Sequence, residues 1–256
     1  GARAMTTNLF DVEGKTALVI GGTSGIGAML ARGLADRGAH VVITGRNEKA
    51  LEEACNAGLV ALQANLSTPD ACRALAAQVA EEFDHLDILV NNAGATWGAP
   101  LEEFPDSAWD RVLDLNVQAP FTLTQALLPQ LLAKATEDDP SRVIMIGSID
   151  GIRVPSTASY SYSASKAAVH QMTRHLARDL GPRHVTVNAI APGPFESKMM
   201  AHMLNEFRDE IEASSPLGRI GRADDVVGTV VFLSSRAGSY LTGAVIPVDG
   251  GMSTTR

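Results

Sequence analysis

The chain has 256 residues, of which 45% are hydrophobic and 20% are charged, and its formal net charge at pH 7 is -8. This composition is typical of a globular protein with an ample core, and the acidic balance argues against a nucleic-acid partner because no surplus of cations would neutralise phosphates. No apolar run approaches the roughly 20 residues of a membrane span and no secretory signal is visible, so no membrane partner is expected and the expected location is the cytoplasm.

Two further expectations concern the chain as a whole. Residues 1–4, Gly-Ala-Arg-Ala, are interpreted as the remnant of an expression tag, and residues 5–256 as one domain. Cys55 and Cys72 lie far apart in helix-like segments. We therefore expect reduced packing residues there, not a disulfide, and we expect no metal site.

The first elements predict a dinucleotide-binding turn. Thr16–Ile20 is an apolar run typical of a strand buried on both faces, and a helical pattern covers residues 28–37. Between them lies a glycine-rich turn, where small residues admit a pyrophosphate and the helix N-terminus offers amide donors to its charge. The cofactor contacts predicted here are Gly21, Thr23, Ser24, Gly25, Ile26 and Gly27.

The end of the second strand indicates which dinucleotide binds. Residues 40–44 predict that strand, and Gly45 and Arg46 follow it. An NAD site needs a carboxylate about 20 residues beyond the glycines, for the ribose hydroxyls, and none stands here. A guanidinium suits a 2′-phosphate in charge and geometry, so NADP (as NADPH) is favoured and NAD stays possible. The alternative for Arg46 is a solvated loop arginine.

Two more strands bring further candidates to the cofactor. Val60–Gln63 and residues 86–90 predict the third and fourth strands, and a helix is predicted over residues 69–83. The cofactor contacts expected after these strands are Asn65, Leu66, Asn92, Ala93 and Gly94. Trp97 follows in a loop, where it either lines a substrate mouth or covers the edge of the core.

A long helical pattern over residues 106–135 contains two residues that oppose a regular helix. Asn116 competes for backbone hydrogen bonds, and Pro120 removes a backbone donor. We therefore expect a distorted helix that places a polar group, although Asn116 alone is also compatible with an ordinary helix position.

The central stretch, residues 148–166, carries the chemistry. Residues 143–146 predict a buried strand that ends just before Ser148, and Tyr162 and Lys166 lie near the start of a predicted helix. Residues four apart share a helix face, so an ammonium is expected beside the phenol, lowering its pKa from the ordinary value of about 10. With a serine hydroxyl to hold the substrate oxygen, this predicts a proton-transfer site for a carbonyl or an alcohol.

The last third closes the sheet and supplies substrate contacts. Residues 185–190 predict the sixth strand, broken by Pro192 and Gly193, and residues 244–248 the seventh. Residues 195–216 are irregularly helical and rich in methionine, which suits an adaptable substrate lid. The predicted substrate contacts are Trp97, Ser148, Asp150, Phe195 and Met199.

Seven predicted strands alternate with helices, without an internal repeat. This predicts the α/β class: a single-domain Rossmann fold with a doubly wound, seven-stranded parallel sheet and helices on both faces. Ligands of such sheets bind beyond the carboxyl ends of the strands. Because the candidate residues directly follow strands, we expect them at one edge.

Over residues 14–251 the chain resembles the short-chain dehydrogenase/reductase family. Residues 91–94 match its second signature. The glycine turn (Gly21, Gly25 and Gly27), the catalytic tetrad (Asn116, Ser148, Tyr162 and Lys166) and the post-strand signature (Pro192 and Gly193) also match. Several matches in the right order make this resemblance specific.

The resemblance implies a role for each tetrad residue. Tyr162 would be the general acid in carbonyl reduction, and Lys166 would lower its pKa and hold the nicotinamide ribose. Ser148 would position the carbonyl oxygen, and Asn116 would hold a water of a proton relay. Cofactor contacts of Tyr162, Lys166, Pro192 and Gly193 are implied as well, with the nicotinamide supplying the hydride.

Within that family the chain is similar to the NADPH-dependent 3-oxoacyl (β-ketoacyl) reductases of the rhamnolipid-pathway type, through residues 86–100, 160–166 and 190–199. This implies reduction of a 3-oxoacyl thioester to the 3-hydroxyacyl product. The chain departs from the common family pattern at Ile20, usually threonine, at Asn65, commonly aspartate, and at Ser24, where many NADP users have a basic residue. Arg46 must therefore carry the phosphate preference.

Several alternatives stay open. The family also reduces steroid, sugar and quinone carbonyls, and a chain of this fold could bind NADP(H) as a sensor or scaffold without turnover. A hydrolase is disfavoured because Ser148 lacks the Gly-x-Ser-x-Gly spacing, and His170 and His175, expected to be solvated or partly buried, lack metal-ligand spacing. The resemblance and apolar stripes on the helices of residues 106–135 and 160–180 imply a homodimer or homotetramer.

Overall fold

The structure, a computed structural model, describes residues 8–198 and 200–255. The tag interpretation of residues 1–4 and the predicted substrate contact of Met199 lie outside the described residues. Within them, seven strands form one parallel sheet in the order β3-β2-β1-β4-β5-β6-β7. The strands are β1 (Thr16–Ile20), β2 (His40–Gly45), β3 (Val60–Gln63), β4 (Ile88–Asn91), β5 (Ser141–Ile146), β6 (Val185–Pro192) and β7 (Val245–Val248).

Helices connect the strands and cover both faces. They are α1 (Gly25–Ala35), α2 (Glu48–Asn56), α3 (Pro69–Glu82), α4 (Asp106–Leu113), α5 (Ala119–Ala126), α6 (Leu128–Leu132), α7 (Tyr160–Leu180), α8 (Ala201–Ala213) and α9 (Ala223–Ser234). The predicted fold class is confirmed. None of the helices in the described part of the chain is long and apolar enough to cross a bilayer.

The core lies in two layers, one on each face of the sheet. Successive side chains of a strand point to opposite faces, so Leu18 and Ile20 of β1 enter one layer while Ala17 and Val19 enter the other. Helices α3, α5, α6 and α7 close the first layer, and α1 and α9 close the second. Burial on both faces explains why these strands are continuous apolar runs in the sequence.

The sheet divides between β1 and β4. Strand β1 pairs in parallel with β2 on one side and with β4 on the other, where Ile20 lies opposite Asn91. From this pair the chain winds outward in both directions, so the loops after β1 and β4 separate and leave a crevice at the carboxyl edge. The turn after β5, which carries Ser148, lies next along the same edge.

The expected distortion of the long helix is confirmed. Helix α4 ends at Leu113, a π-helical turn spans Asp114–Gln118, and α5 begins at Ala119. Such turns insert an extra residue into a helix and are frequent at functional sites. This one carries Asn116, whose side chain it turns into the interior of the protein.

The two cysteines are free, but they differ in their surroundings. Cys72 is buried in the core beneath α3, as expected of a packing residue. Cys55 is exposed on α2, so the packing interpretation was wrong for it. Cys55 lies on the solvent-facing side of α2, whose buried side includes Leu51. The sequence pattern did not show on which side of this short helix the cysteine falls.

Candidate active site

The turn between β1 and α1 is fastened from two sides. The Gly21 amide donates to Thr44 Oγ1 at 3.1 Å, which ties the turn to β2. From the other side, Asn92 Nδ2 donates to the Gly21 carbonyl at 3.0 Å. A Cβ at Gly27 would lie 2.1 Å from that same carbonyl oxygen, so α1 approaches the turn as closely as only glycine allows.

The N-terminus of α1 points its amide groups toward this turn. Ser24 is the N-cap residue of α1 and has an extended backbone. Its side chain forms no capping hydrogen bond within the described part of the protein. The first N–H groups of a helix lack intrahelical partners and carry the positive end of its dipole. A constricted glycine turn with uncapped amide donors fits a pyrophosphate.

Arg46 follows β2 at the same edge, and its side chain is exposed. Gln63 Nε2 holds the Arg46 carbonyl at 3.1 Å, while the guanidinium forms no ion pair with any residue of 8–198 or 200–255. The Thr23 side chain lies against Gly45, where an added Cβ would come 2.5 Å from Thr23 Cγ2. An unpaired cation beside a threonine at the mouth of the crevice fits a phosphate group.

The two residues predicted after β3 differ in what they can offer a cofactor. Asn65 is exposed, and its Oδ1 accepts from the Ser67 amide at 3.3 Å. Leu66 is buried in the core, so a cofactor could meet only its backbone. These contacts stay predictions.

Ser148 and Tyr162 meet at the carboxyl end of β5. Ser148 caps a short 3-10 turn, Ile149–Gly151, and its Oγ accepts from the Asp150 amide at 3.0 Å. Burial raises the pKa of Tyr162 above its ordinary value, a hydrogen bond with the Ser148 side chain opposes that shift, and the Asp150 carboxylate adds to it. The phenol is therefore protonated at neutral pH and able to donate.

The pKa of Tyr162 is raised, whereas the expected effect of Lys166 was to lower it. Lys166 Nζ donates to the Ile146 carbonyl at 2.9 Å and lies 5.6 Å from the centre of the Tyr162 ring, over its face. Burial lowers the pKa of Lys166 itself to about 8. Helical spacing placed the two side chains together as predicted, but burial has the largest effect on the pKa of Tyr162.

Asn116 links the loop after β4 to α7. Its Oδ1 accepts from the Ala95 amide at 2.7 Å, and its Nδ2 donates to the Ala95 carbonyl at 2.9 Å and to Ser165 Oγ at 3.0 Å. Ser165 Oγ in turn donates to the Tyr162 carbonyl at 2.7 Å. Both hydrogens of the side-chain amide are thus bonded to protein groups, which gives Asn116 a positioning role. Its implied role in holding a relay water stays a prediction.

His170 is a residue of this site that sequence reasoning missed. It is 3% exposed, whereas a solvated or partly buried side chain was expected, and its Nε2 accepts from the Ser148 backbone amide at 3.3 Å. Tyr162, Lys166 and His170 follow one another at four-residue spacing, so they lie on one face of α7. That spacing was the available signal. His175 is exposed, as expected.

The remaining predicted residues are placed unequally. Gly193 lies close to the Ser148 turn, since a Cβ there would come 3.7 Å from Ile149 Cδ1. Trp97 is 42% exposed in a loop that the Ala99 amide joins to the Ala158 carbonyl at 3.1 Å, just before α7. Phe195 is 3% exposed, with its ring packed on Gly221. This placement gives Phe195 a role in core packing and does not support a substrate contact.

Comparison with known proteins identifies the family. Residues 21–253 match the family described as Enoyl-(Acyl carrier protein) reductase. The chain is 43% identical, over 94% of its length and 97% of the relative's, to the rhamnolipids biosynthesis 3-oxoacyl-[acyl-carrier-protein] reductase of Pseudomonas aeruginosa. The chain belongs to the short-chain dehydrogenase/reductase family.

Other short-chain dehydrogenases/reductases are also similar. Gluconate 5-dehydrogenase of Gluconobacter oxydans is 37% identical over 97% of this chain and 98% of its own. Among solved structures, the Pseudomonas aeruginosa RhlG/NADP active-site complex superposes with a TM-score of 0.92, at 43% identity, covering 96% of this chain and 98% of that one. The dinucleotide crevice and the Ser148–Tyr162 pair thus occur in a protein of this oxidoreductase family.

Family membership and geometry together count against the hydrolase alternative. A serine nucleophile needs a base within hydrogen-bond reach of its hydroxyl. Here His170 Nε2 contacts the backbone amide of Ser148, and the Ser148 hydroxyl contacts Tyr162 and Asp150 instead. The Ser148 hydroxyl is therefore paired with a phenol and not with an imidazole base.

Proposed function

We propose that the chain reduces the 3-oxo group of an acyl thioester with NADPH, giving the 3-hydroxyacyl thioester. The observation that carries this proposal is the protonated Tyr162 hydrogen-bonded to Ser148 at the end of β5, next to a crevice shaped for a dinucleotide. The similarity to 3-oxoacyl-[acyl-carrier-protein] reductases of Pseudomonas aeruginosa and, at 35% identity, of Escherichia coli supports the substrate class.

Each proposed catalytic residue has a defined task. The Ser148 hydroxyl donates a hydrogen bond to the carbonyl oxygen and orients it toward Tyr162. NADPH, when bound, supplies the hydride that adds to the carbonyl carbon. Tyr162 gives its phenolic proton to the oxygen, so the carbonyl becomes an alcohol, and the phenolate regains a proton from water. Asp150, in the same turn, would contact the substrate.

The remaining site residues would hold the cofactor. The glycine turn and the amide groups of α1 would receive the pyrophosphate, and Arg46 the 2′-phosphate. Lys166 uses one N–H on the Ile146 carbonyl, which leaves two for the hydroxyls of the nicotinamide ribose. Asn92, Ala93, Gly94 and Gly193 would line the crevice beside it. Asn116 would act on the cofactor only indirectly, by holding the loop of Ala95 and helix α7 together.

The deciding experiment compares NADPH and NADH as donors to a short 3-oxoacyl thioester, measured as kcat/KM from the loss of absorbance of the reduced cofactor. The proposal predicts turnover with a strong preference for NADPH. Turnover that favours NADH would refute the role of Arg46 and leave the catalytic residues standing. If neither cofactor is consumed, the substrate class is wrong, and steroid, sugar and quinone carbonyls are the next substrates to assay.

Arg46→Ala is expected to weaken NADPH binding by roughly 10- to 100-fold, the value of a charge-assisted contact to phosphate, while NADH binding stays unchanged. The two Kd values, measured by titrating cofactor fluorescence, test this without turnover. Arg73→Ala removes an exposed arginine on α3 and serves as the matched control. An equal loss for both cofactors would mean that Arg46 acts on the shape of the loop and not on the 2′-phosphate.

Assembly as a homodimer or homotetramer stays a prediction. Its support is a set of exposed apolar side chains on α4 and α5, namely Trp109, Leu113 and Phe121, since apolar patches of this kind mark contact surfaces. Light scattering at micromolar concentration is expected to give a mass of two or four chains, and a single-chain mass would contradict it. The cytoplasmic location also stays a prediction.

We further propose that residues 195–216 form a lid over the crevice. Ser197 is the nearest neighbour that a side chain at Gly25 would meet, at 4.0 Å, so this segment lies over the α1 N-terminus. Helix α8 is kinked at Phe207, and Arg208 fastens it to Glu196 at 2.7 Å. An exposed ion pair contributes little stability, which suits a segment that must open.

A further inference from the structure

His170 is a buried, titratable side chain that the proposed reaction does not use. It lies on α7 one turn beyond Lys166, and its side chain is almost fully excluded from solvent. Burying an imidazole is unfavourable unless its polar atoms have partners. The partners it has are the backbone groups of the turn that carries Ser148.

The turn fits closely around the imidazole ring. The Ser148 amide donates to Nε2 at 3.3 Å, and the Gly151 backbone forms a second hydrogen bond with the ring. A Cβ at Gly147 would lie 2.1 Å from Nε2, and one at Gly151 would lie 2.9 Å from Cε1. The imidazole ring thus lies against both ends of the turn, and at each end the close approach requires glycine.

The ring contacts the turn as a neutral group. Burial, together with the positive charges of Lys166 and Arg174, lowers the pKa of His170 to about 4. In the neutral ring one nitrogen carries a lone pair, and the contact with the Ser148 amide requires that this nitrogen be Nε2. An imidazolium would instead direct an N–H at the Ser148 N–H.

We propose that His170 is a positioning residue that fixes the direction of the Ser148 hydroxyl. It does so by accepting a hydrogen bond from the Ser148 backbone amide and by filling the space beneath the Gly147–Gly151 turn. The Ser148 hydroxyl accepts a hydrogen bond from the Asp150 amide and forms another with Tyr162. A shift of the backbone at Ser148 therefore moves the group that orients the carbonyl oxygen. This inference rests on the proposed reductase function for its kinetic readout.

Two substitutions separate positioning from packing. His170→Gln keeps an acceptor that reaches about as far as Nε2, whereas His170→Leu fills the space without one. We expect His170→Leu to lower kcat by roughly 10- to 100-fold, as small misplacements of catalytic groups do, with the KM and Kd for NADPH unchanged. His170→Gln is expected to recover most of the loss. His175→Leu, on the exposed side of the same helix, is the matched control.

Two kinetic outcomes would overturn the proposal. One is wild-type kcat in His170→Leu. The other is an equal loss of kcat in His170→Leu and His170→Gln, because the acceptor would then be irrelevant. NADPH binding by each variant shows whether the crevice is still formed.

A measurement on the unmodified protein keeps the test valid if the leucine variant does not fold. Nitrogen NMR of protein labelled at its histidines is expected to show the His170 ring neutral at pH 7 with Nε2 unprotonated, the signal being assigned by its loss in His170→Gln. An Nε2–H tautomer or a charged ring would overturn the proposal. This readout needs no turnover. Absence of 3-oxoacyl reduction would therefore refute the proposed substrate and leave the test of the His170 proposal unaffected.

Discussion

Tyr162→Phe is expected to reduce kcat for 3-oxoacyl reduction by roughly 10³-fold, the usual size of a lost general acid, while NADPH binds as before. The phenol is the protonated group that Ser148 contacts, and burial keeps its pKa above the ordinary value. Phenylalanine fills the same space but cannot give a proton to the carbonyl oxygen. Steady-state kinetics and a fluorescence titration of NADPH, on the same preparation, measure the two quantities.

Tyr160→Phe is the matched control for this substitution. Tyr160 begins α7, two residues before Tyr162, but its ring packs edge-on against Phe104 with centroids 5.3 Å apart. Removing its hydroxyl should leave kcat unchanged. If Tyr162→Phe retained wild-type turnover, Tyr162 would not be the proton donor. If the wild-type protein bound NADPH yet reduced none of the carbonyl classes named above, the alternative of a non-catalytic NADP(H) sensor would be favoured.

Arg142→Met is expected to lower the free energy of unfolding by about 4 kcal/mol, because a buried acceptor left without its donor costs roughly 1–3 kcal/mol. Arg142 is 1% exposed at the start of β5. Its guanidinium donates to the carbonyls of Leu233 at 2.7 Å and Ser235 at 2.8 Å, and also to that of Pro140. Methionine preserves much of the volume but leaves all three carbonyls without this donor. Denaturant unfolding followed by circular dichroism measures the change.

The control for stability is Arg73→Met. Because Arg73 forms only an exposed ion pair with Asp70, we expect the free energy of unfolding to change by less than about 0.5 kcal/mol. Arg142 lies at the amino end of β5, and Ser148 follows its carboxyl end. The folded Arg142→Met protein should therefore keep its kcat. A loss of stability below about 1 kcal/mol would mean that water or a relaxed backbone satisfies the three carbonyls.

The central strands β1, β4, β5 and β6 were predictable because they are buried on both faces, which makes each of them a largely apolar run. The bounds of β1 and β3 were predicted residue for residue, and for β1 this follows from Lys15 and Gly21, which flank its apolar run. The start of α7 at Tyr160 is less distinct in the sequence. Residues 160–163 are tyrosine and serine, which lack the apolar periodicity of a helix, and contacts with neighbouring elements decide that they are helical.

The sequence by itself determined the fold class, the edge of the sheet at which the site lies and the family, because these follow from hydrophobic periodicity and from motifs that stand next to each other in the chain. Only the tertiary structure decided the charge state of Tyr162, the engagement of Asn116 with Ala95 and Ser165, and the burial of His170 beneath the Ser148 turn. Each of these depends on how far groups from separate elements lie from one another and from water. Helical spacing specifies which side chains share a face of α7, but what that face meets is set by the packing of the whole sheet.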